Sequence, residues 1–208
     1  MNILAWRVNP LFITFMFIAL FGHGTKLVGL DQAPLSCGHL KDIHSNNEPL
    51  FFTRPAKMGD EDVLYELIRE LAQYEGKDIA TLPLTKENLR RFGFSENPHF
   101  CTEFAECEDK VVGYALYYYA FSANQGRPIL YLEDLYVKPE YRGIGIGSQF
   151  LKQLAKYATQ NDCCRLEWHV FSWNDSAISF YQKLGGVLRN DLIQVRLEKD
   201  ALQRLAND

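Results

Sequence analysis

A strand, a glycine loop and a helix follow one another between residues 131 and 161, and this order constrains the fold most strongly. Residues 131–137 are rich in aromatic and β-branched side chains, which indicates a strand, and the K-P-E sequence at 138–140 ends it. Alternate glycines follow in R-G-I-G-I-G-S, and apolar residues then recur at helical spacing over 149–161. Such a loop exposes backbone N–H groups at the positive end of a helix dipole. It therefore predicts a site for phosphate, and particularly for pyrophosphate.

Two common phosphate-binding motifs do not fit this loop. The dinucleotide pattern G-x-G-x-x-G fails because Ser148 follows Gly147, so that the last glycine comes too early. The P-loop pattern fails because no Gly-Lys-Ser or Gly-Lys-Thr follows. Both the common dinucleotide-binding and the P-loop classes are therefore disfavoured.

The motif R-G-x-G-x-G after a strand with acidic residues resembles the signature Q/R-x-x-G-x-G/A of the GCN5-related N-acetyltransferase (GNAT) superfamily, which Arg142, Gly145 and Gly147 meet. More narrowly, Y-L-E-D-L-Y-V, W-N-D-S-A-I-S-F-Y and R-E-L-A-Q-Y-E are similar to the diamine (spermidine/spermine) N-acetyltransferase branch, over residues 51–208. The resemblance implies an α/β (α+β) fold with a central mixed, mostly antiparallel sheet flanked by helices. It also implies acetyl-CoA as co-substrate and a small cationic amine, such as a diamine, a polyamine or a lysine-like amine, as acceptor.

The resemblance also implies roles for individual residues. Glu133 takes the proton of the acceptor amine, directly or through water, and Tyr181 protonates the departing thiolate of CoA. Tyr74 and Glu75 lie in a loop over the acceptor and bind it together with Glu133. The glycine loop wraps the pyrophosphate, while the preceding strand and Asn174 bind the pantetheine arm. The implied cofactor-binding residues are Leu135, Tyr136, Val137, Arg142, Gly143, Ile144, Gly145, Ile146, Gly147, Ser148 and Asn174.

The same residues are also compatible with purely structural roles. Acids are depleted in strands, and alternation places Glu133 and Asp134 on opposite faces, but a salt-bridged or edge-exposed pair fits equally well. We interpret Asp134 as structural. Without the resemblance, Glu75 is best explained as a solvated loop carboxylate and Tyr181 as a tyrosine on a packed helix face. The three tyrosines at 117–119 could stack on bases, but packing of the core and sheet face is favoured.

The sequence departs from the animal diamine enzymes at residues 189–195, where R-N-D-L-I-Q-V replaces an acidic S-E-E-G-W-like segment. One acceptor-binding carboxylate is therefore unmatched unless Asp191 substitutes, which puts long polyamines in doubt. A diamine, a lysine-like amino acid or another small primary amine remains open. The rival functions are a protein lysine or N-terminal acetyltransferase and a non-catalytic CoA-binding module. Retention of both Tyr181 and Glu133 argues against the module.

Composition disfavours several other classes of protein. The formal net charge of -4 disfavours a nucleic-acid partner, which would require a basic surface. The five cysteines include no C-x-x-C pair, so a disulfide framework is disfavoured and a reducing compartment fits better. The five histidines show no ligand spacing, so we predict no metal site. We also expect a homodimer.

Residues 1–49 differ from the rest of the chain and are predicted to lie outside the acetyltransferase domain, which is assigned to residues 50–208. Their apolar segment 11–21 is shorter than the roughly 20 residues that span a bilayer. It has the length of a signal-peptide core, but no A-x-A cleavage site follows it. A translation start upstream of the true one, a membrane-associating tail and an export signal all account for it. We favour the first and a cytoplasmic location, with membrane association through 11–21 as the alternative.

Hydrophobic periodicity and turn residues predict the remaining elements. They are a strand at 50–53, helices at 60–74 and at 85–92 with Thr85 as cap, hairpin strands at 100–106 and 111–121, a strand at 165–170, a helix capped by Asn174 or Asp175 and ended by Gly185, and a strand at 195–197 before a polar tail.

Overall fold

A computed structural model describes residues 50–207 of the chain. Its strands are β1 (Phe52–Pro55), β2 (Cys101–Cys107), β3 (Lys110–Ser122), β4 (Arg127–Val137) and β5 (Leu166–Trp168). Its helices are α1 (Glu61–Tyr74), α2 (Lys86–Gly93), α3 (Ile146–Gln160), α4 (Asp175–Lys183) and α5 (Lys199–Asn207), with a short 3-10 helix at Pro139–Tyr141. Among these residues no helix has the length and apolar character needed to cross a membrane. The predicted extension at 1–49 and its apolar segment 11–21 lie outside the described residues.

The strands form a five-stranded sheet in the order β1-β2-β3-β4-β5. β1 to β4 pair antiparallel, and β5 joins β4 in the parallel direction. β2 and β3 form the predicted hairpin, whose turn holds Glu108 and Asp109 at positive φ. The prediction of an α/β fold with a mixed, mostly antiparallel sheet is therefore confirmed.

Helices cover the sheet through two hydrophobic cores, to which neighbouring residues of β3 and β4 contribute alternately. In the first core, Phe150 and Leu154 of α3 are fully buried with Leu130 and Leu132 of β4. Each such side chain contributes about 1.5–3 kcal/mol when buried. The second core joins α1 and α2 to the sheet through Leu64, Leu67, Leu89, Phe104 and Tyr114. The two cores together fix β3 and β4 as the centre of the fold.

The predicted helix caps are confirmed at both positions where a side chain was assigned. Thr85 Oγ1 accepts a hydrogen bond from the Asn88 amide at 3.0 Å, and Asn174 Oδ1 accepts one from the Ala177 amide at 3.2 Å. Each bond satisfies an amide that the helix itself leaves without a partner. Gly185 follows α4 with a φ of 90°, as expected of a glycine that ends a helix.

A β-bulge at Glu133 changes the direction of the side chains along β4. Leu116 of β3 pairs with Asp134, but Tyr117 pairs with Leu132, so Glu133 is an extra residue in the ladder. Strict alternation would turn Asp134 to the face on which Leu132 packs. The bulge instead turns it into contact with a tyrosine of the second core.

β5 pairs with β4 for only a short distance. The parallel pairs run from Leu130 with Leu166 to Leu132 with Trp168, and no described strand pairs with that side of β4 beyond Leu132. The backbone of residues 133–137 therefore has an open edge. The chain continues from this edge through the 3-10 helix into the glycine loop.

The C-terminal part of the chain differs from the sequence prediction. The strand predicted at 195–197 is wrong, because residues 187–198 form no helix or strand and Ile193 and Val195 are 90% and 86% exposed. The alternating apolar residues indicated a strand, but within the described residues this segment has no strand partner. The supposed polar tail contains α5, which begins at Lys199. β5 is also shorter than the strand predicted at 165–170.

We expect a chain that starts at Asn47 to fold and to retain full activity. β1 begins at Phe52, and Leu50 and Phe51 pack against the first core, so this truncation keeps both side chains and their contacts with that core. Melting temperatures and initial rates of the full and shortened chains measure the outcome. A chain that starts at Thr53 lacks both packed side chains and should melt lower. Loss of solubility or activity on starting at Asn47 would place the domain boundary further upstream.

Candidate active site

A cleft of about 1070 Å³ opens where β4 and β5 diverge. The second half of β4, the glycine loop, the start of α3, the residues after β5 and the start of α4 line it. Of the residues assigned to the site from the sequence, Ile144 alone does not line the cleft, and its side chain packs against the first core. Those that line it are Tyr74, Glu75, Glu133, Leu135, Tyr136, Val137, Arg142, Gly143, Gly145, Ile146, Gly147, Ser148, Asn174 and Tyr181.

The glycine loop presents its backbone to the cleft. Gly143 and Gly145 have φ angles of 80° and 101°, and no atom lies within 4 Å of a Cβ placed on either residue. Gly145 is also the N-cap of α3, whose first amides have no partner within the helix. Arg142 Nε donates to the Val137 carbonyl at 2.9 Å and ties the loop to the end of β4. This geometry fits an anion held by backbone amides at the positive end of a helix.

Arg142 also links the glycine loop to the end of α1. Its guanidinium carbon lies 5.0 Å from the centre of the Tyr74 ring, a cation–π distance. The Tyr74 ring in turn lies 6.1 Å from the ring of Trp173, between β5 and α4. Chain segments on either side of the cleft are thus joined by a cation–π contact and a tilted pair of aromatic rings.

The carboxylates of Glu75, Glu133 and Asp134 line the cleft around the bulge. Glu133 is exposed, whereas Asp134 is recessed and accepts a hydrogen bond of 2.9 Å from the Tyr114 hydroxyl. Burial raises the pKa of Asp134 to about 6, against the lowering effect of that hydrogen bond. Glu75 pairs with Lys77 at 2.6 Å. Lys77, Arg142 and Arg196 also line the cleft, so the three carboxylates form an acidic region within it rather than an overall negative charge. Carboxylates grouped in this way raise the local concentration of cationic ligands.

Tyr181 lies on α4 with its ring against that of Trp168, at 5.0 Å between ring centres. Burial raises the pKa of its phenol to about 12, so the hydroxyl is protonated at neutral pH. The hydroxyl has no hydrogen-bond partner among residues 50–207. Asn174 lies at the start of α4 and caps that helix with its side-chain oxygen. Its side-chain N–H groups therefore remain available for a ligand.

Several residues of the cleft were missed by sequence reasoning. Tyr118 and Tyr131 line it with rings 5.0 Å apart, and the Tyr131 hydroxyl forms a hydrogen bond with Nδ1 of His169. Gln194 and Arg196 line it from the segment after α4. Tyr131 is the first residue of the Y-L-E-D-L-Y-V motif, but the motif was given no role for it. The other residues belong to none of the motifs identified in the sequence.

The structure also bears on two further expectations from the sequence, the packing of the three tyrosines of β3 and the place of Asp191. Among the three tyrosines of β3, Tyr117 is buried in the first core as predicted, but Tyr118 lines the cleft and Tyr119 is 46% exposed. Asp191 does not line the cleft, because Arg189 holds it with hydrogen bonds of 2.9 and 2.7 Å and lowers its pKa to about 2. The carboxylate of Asp191 is thus paired with Arg189 in this structure and is not part of the cleft wall.

The sequence matches the model of the Acetyltransferase (GNAT) family over residues 63–186, and the chain belongs to this family. It is 41% identical to a thialysine N-epsilon-acetyltransferase of Bos taurus over 167 residues, which are 74% of this chain and 95% of that protein. It is 36% identical to a spermidine/spermine N(1)-acetyltransferase-like protein 1 of Homo sapiens over 66% of this chain and 20% of that protein. A solved integron cassette protein from the mobile metagenome of V. cholerae has a TM-score of 0.66 at 28% identity, covering 77% of this chain and 100% of that one.

These similarities confirm the predicted superfamily, the diamine-type branch and the fold, and they identify the chain as an N-acetyltransferase. Enzymes of this family use acetyl-CoA as the acetyl donor. Within the part of the chain that the structure describes, no group of three or more His, Cys, Asp or Glu side chains is placed to hold a metal ion.

We expect Gly145→Val to weaken the binding of acetyl-CoA by about tenfold or more, because a side chain would stand where backbone must approach the pyrophosphate. The left-handed φ adds a strain of roughly 1–2 kcal/mol to this variant. Gly126→Val in the β3–β4 turn, at a φ of 62° and with open space around it, is the matched control for strain alone. Calorimetric titration measures both affinities. If Gly145→Val binds acetyl-CoA with unchanged affinity, the glycine loop is not part of the acetyl-CoA site.

We expect part of the stability of the protein to be lost as pH rises from about 4 to about 6, because Asp134 has a folded pKa of about 6 and a reference pKa of 3.8. The native state then holds the proton more tightly than the unfolded state, so stability falls as Asp134 ionises. Asp134→Asn keeps an acceptor for the Tyr114 hydroxyl and should lose this pH dependence. Urea unfolding at several pH values compares the two proteins, and parallel pH profiles would contradict the assignment.

Proposed function

We propose that the chain transfers the acetyl group of acetyl-CoA to a primary amine of a small cationic acceptor. The observation that carries this proposal is the meeting of three kinds of group in one cleft. An anion-binding glycine loop, a cluster of carboxylates and a buried, protonated phenol all line it. Acetyl transfer to an amine needs each of them, for the donor, for the acceptor and for the leaving thiolate respectively.

The donor binds along the glycine loop and the open edge of β4. Amides of residues 143–148 and the positive end of α3 hold the pyrophosphate, with Arg142 beside them. Backbone groups of residues 135–137, which face no described strand on that side, bind the pantetheine arm. Asn174 donates its free amide N–H groups to the same arm. The open space above Gly143 and Gly145 supports this arrangement, because a Cβ at either position would occupy it.

The acceptor amine binds at the acidic part of the cleft. Glu133 accepts its proton, directly or through water, because the exposed carboxylate of the bulge faces cleft solvent. Glu75 and Asp134 add negative charge that attracts the ammonium form of the acceptor. Tyr74 precedes Glu75 in the chain and lines the cleft beside it, so it borders the same region.

Tyr181 stabilises the departing thiolate and donates its proton to it. The phenol has a pKa of about 12 and is therefore protonated when the reaction begins. A free thiol has a reference pKa near 8.5, so the phenol is the weaker acid and its position matters more than its acidity. Its lack of a hydrogen-bond partner among residues 50–207 supports this role, because the O–H group is available for the sulfur.

The relatives support a small acceptor rather than a protein. Thialysine and spermidine or spermine, which appear in the names of the relatives, are small amines. Assays of the purified protein with acetyl-CoA against diamines, polyamines, lysine analogues and peptides test the proposal. Preferred acetylation of peptides would favour the protein acetyltransferase, and CoA binding without turnover would favour the non-catalytic module.

The predicted homodimer and the cytoplasmic location stay predictions. The segment between α4 and α5 supports an association with another chain, because Val187, Ile193 and Val195 are 83%, 90% and 86% exposed. Large apolar side chains exposed together often mark an interface.

We expect Tyr181→Phe to bind acetyl-CoA normally and to lower kcat by roughly 10²- to 10⁴-fold, as for the loss of a general acid. The phenylalanine ring keeps the contact with Trp168 and removes only the hydroxyl. Tyr119→Phe, an exposed tyrosine of β3 outside the cleft, is the matched control and should leave kcat unchanged. Pre-steady-state and steady-state rates measure the effect. If Tyr181→Phe keeps full turnover under conditions in which the chemical step is rate-limiting, then solvent or another group protonates the thiolate, and the role proposed for Tyr181 is wrong.

The same assay distinguishes Glu133 from Tyr181. Glu133→Gln should lose most activity at low pH and recover partly as pH rises, because more of the acceptor amine is then already neutral. Glu96→Gln, on the exposed chain between α2 and β2, is the control and should keep the wild-type pH profile. A loss of equal size at every pH would contradict a role for Glu133 in taking the amine proton.

A further inference from the structure

Lys77 carries a primary amine in the cleft that the proposed acetyl transfer does not use. It lines the cleft together with Glu75, Glu133 and Tyr181, to which we assign the acceptor and the leaving thiolate. Its ammonium pairs with the Glu75 carboxylate at 2.6 Å. A compact ammonium on a flexible four-carbon stem is the same kind of group as a small amine acceptor. The chain thus places one of its own amines in the region where we propose that an acceptor binds.

The end of α1 fixes the backbone of Lys77. Gly76 has a φ of 77°, the left-handed conformation common just after a helix. The Lys77 amide donates to the Ala72 carbonyl at 2.9 Å, and the Gly76 amide donates to the Gln73 carbonyl at 3.0 Å. These two bonds form a Schellman motif, which satisfies carbonyls at the end of the helix. Lys77 therefore starts from a fixed backbone position beside the cleft, and its flexible part is the side chain.

The side chain of Lys77 extends from solvent into the acidic region of the cleft. It is 53% exposed, whereas the side chain of its partner Glu75 is only 16% exposed. Its charge also acts on Asp134: burial raises the pKa of Asp134 most, Glu133 and Glu75 raise it further, and Lys77 lowers it. The ammonium is thus within electrostatic range of the acids of β4 as well as of Glu75.

We propose that Lys77 is acetylated by the protein itself, from the acetyl-CoA bound in the same cleft. The inference rests on the proposed acetyl transfer to a primary amine and goes beyond it, because the acceptor is a side chain of the same chain. Such an acceptor needs no separate binding step. Its attachment to the cleft wall gives it a high effective concentration next to the donor.

The reaction at Lys77 uses the groups assigned to the small acceptor. Its ammonium gives one proton to Glu133, and the neutral Nζ then attacks the carbonyl carbon of the acetyl group. A C–N bond forms, the C–S bond of the thioester breaks, and its electron pair goes to the sulfur, which Tyr181 protonates. The nitrogen loses a second proton as the amide forms, and this proton replaces the one that Tyr181 gave. The products are CoA and an acetylated lysine, and the proton on Glu133 passes to solvent.

The ion pair with Glu75 affects both the rate and the consequence of this reaction. The pair must break before the amine can attack, so Lys77 should react more slowly than a free amine substrate. Acetylation then removes the positive charge of the side chain. The Glu75 carboxylate loses this partner and is left for a cationic acceptor.

Incubation with acetyl-CoA followed by mass analysis of peptides tests the inference, with the initial acetylation of each lysine measured first. Lys77 should gain one acetyl group at a rate that is independent of protein concentration, as expected within one chain. This rate should saturate at the dissociation constant of acetyl-CoA from calorimetry. Lys156, an exposed lysine of α3 outside the cleft, is the matched control. It should react at least roughly 100-fold more slowly, with a rate that rises linearly with acetyl-CoA.

Two variants separate catalysed from chemical acetylation. Tyr181→Phe should lower the rate at Lys77 by roughly 10²- to 10⁴-fold, a factor similar to its effect on kcat for a small amine, and should leave the rate at Lys156 unchanged. Lys77→Arg keeps a cation for Glu75 but has no primary amine, so this position should gain no acetyl group. A saturating concentration of lysine or 1,4-diaminobutane, whichever the protein acetylates, should protect Lys77, because each acetyl-CoA serves one acceptor.

The outcomes separate this inference from the proposed function. Three results would overturn the inference and leave acetyl transfer to small amines standing: no acetylation of Lys77, a rate that Tyr181→Phe leaves unchanged while kcat for a small amine falls, or a rate that rises with protein concentration. If protein that binds acetyl-CoA acetylates neither Lys77 nor any amine of the acceptor panel, the proposed function is wrong and the inference fails with it.

Discussion

The short pairing between β4 and β5 is the constraint on which the site depends. Because β5 ends at Trp168, the backbone of β4 beyond Leu132 has no strand beside it. Backbone N–H and C=O groups need partners, so an edge left open within a sheet is stable where water or a ligand can reach it. The gap between the strands forms the cleft, and the same departure of β5 carries the chain to α4, which brings Tyr181 and Asn174 to the opposite wall.

The bulge in β4 gives two adjacent acids different surroundings. Glu133, the inserted residue, is exposed, whereas Asp134 is turned to the hydroxyl of Tyr114 in the second core. Burial then raises the pKa of Asp134 but leaves its carboxylate at the wall of the cleft. A regular strand would place one acid on each face of the sheet. The single extra residue thus brings both acids to the cleft, in the region where we propose that the acceptor binds.

The sequence predicted the parts of the fold and site that depend on local rules. The glycine loop, the cap by Thr85 and the cap by Asn174 follow from the needs of backbone amides, which a few neighbouring residues reveal. The bulge at Glu133 was not predictable, because it depends on the register between two strands rather than on either strand alone. The final strand was predicted from alternation that has no partner in the sheet.

Residues that reach the cleft from several elements were the hardest to predict. His169 is a lone histidine after a three-residue strand, and its contact with Tyr131 exists only because β5 lies beside β4. Arg196 likewise stands in a segment without regular structure. No spacing within one element encodes such contacts, whereas the glycine loop and α3 are contiguous in the chain.

Strand edges with unpaired backbone groups are templates for pairing with other chains, and sheet proteins must protect them against aggregation. The open edge of β4 carries such protection in its own sequence. Glu133 and Asp134 place charge along it, the bulge disrupts its flatness, and Pro139 follows its end without an N–H group to extend a ladder. The features that make this edge suitable for a narrow, flexible ligand thus make it a poor template for a fibril.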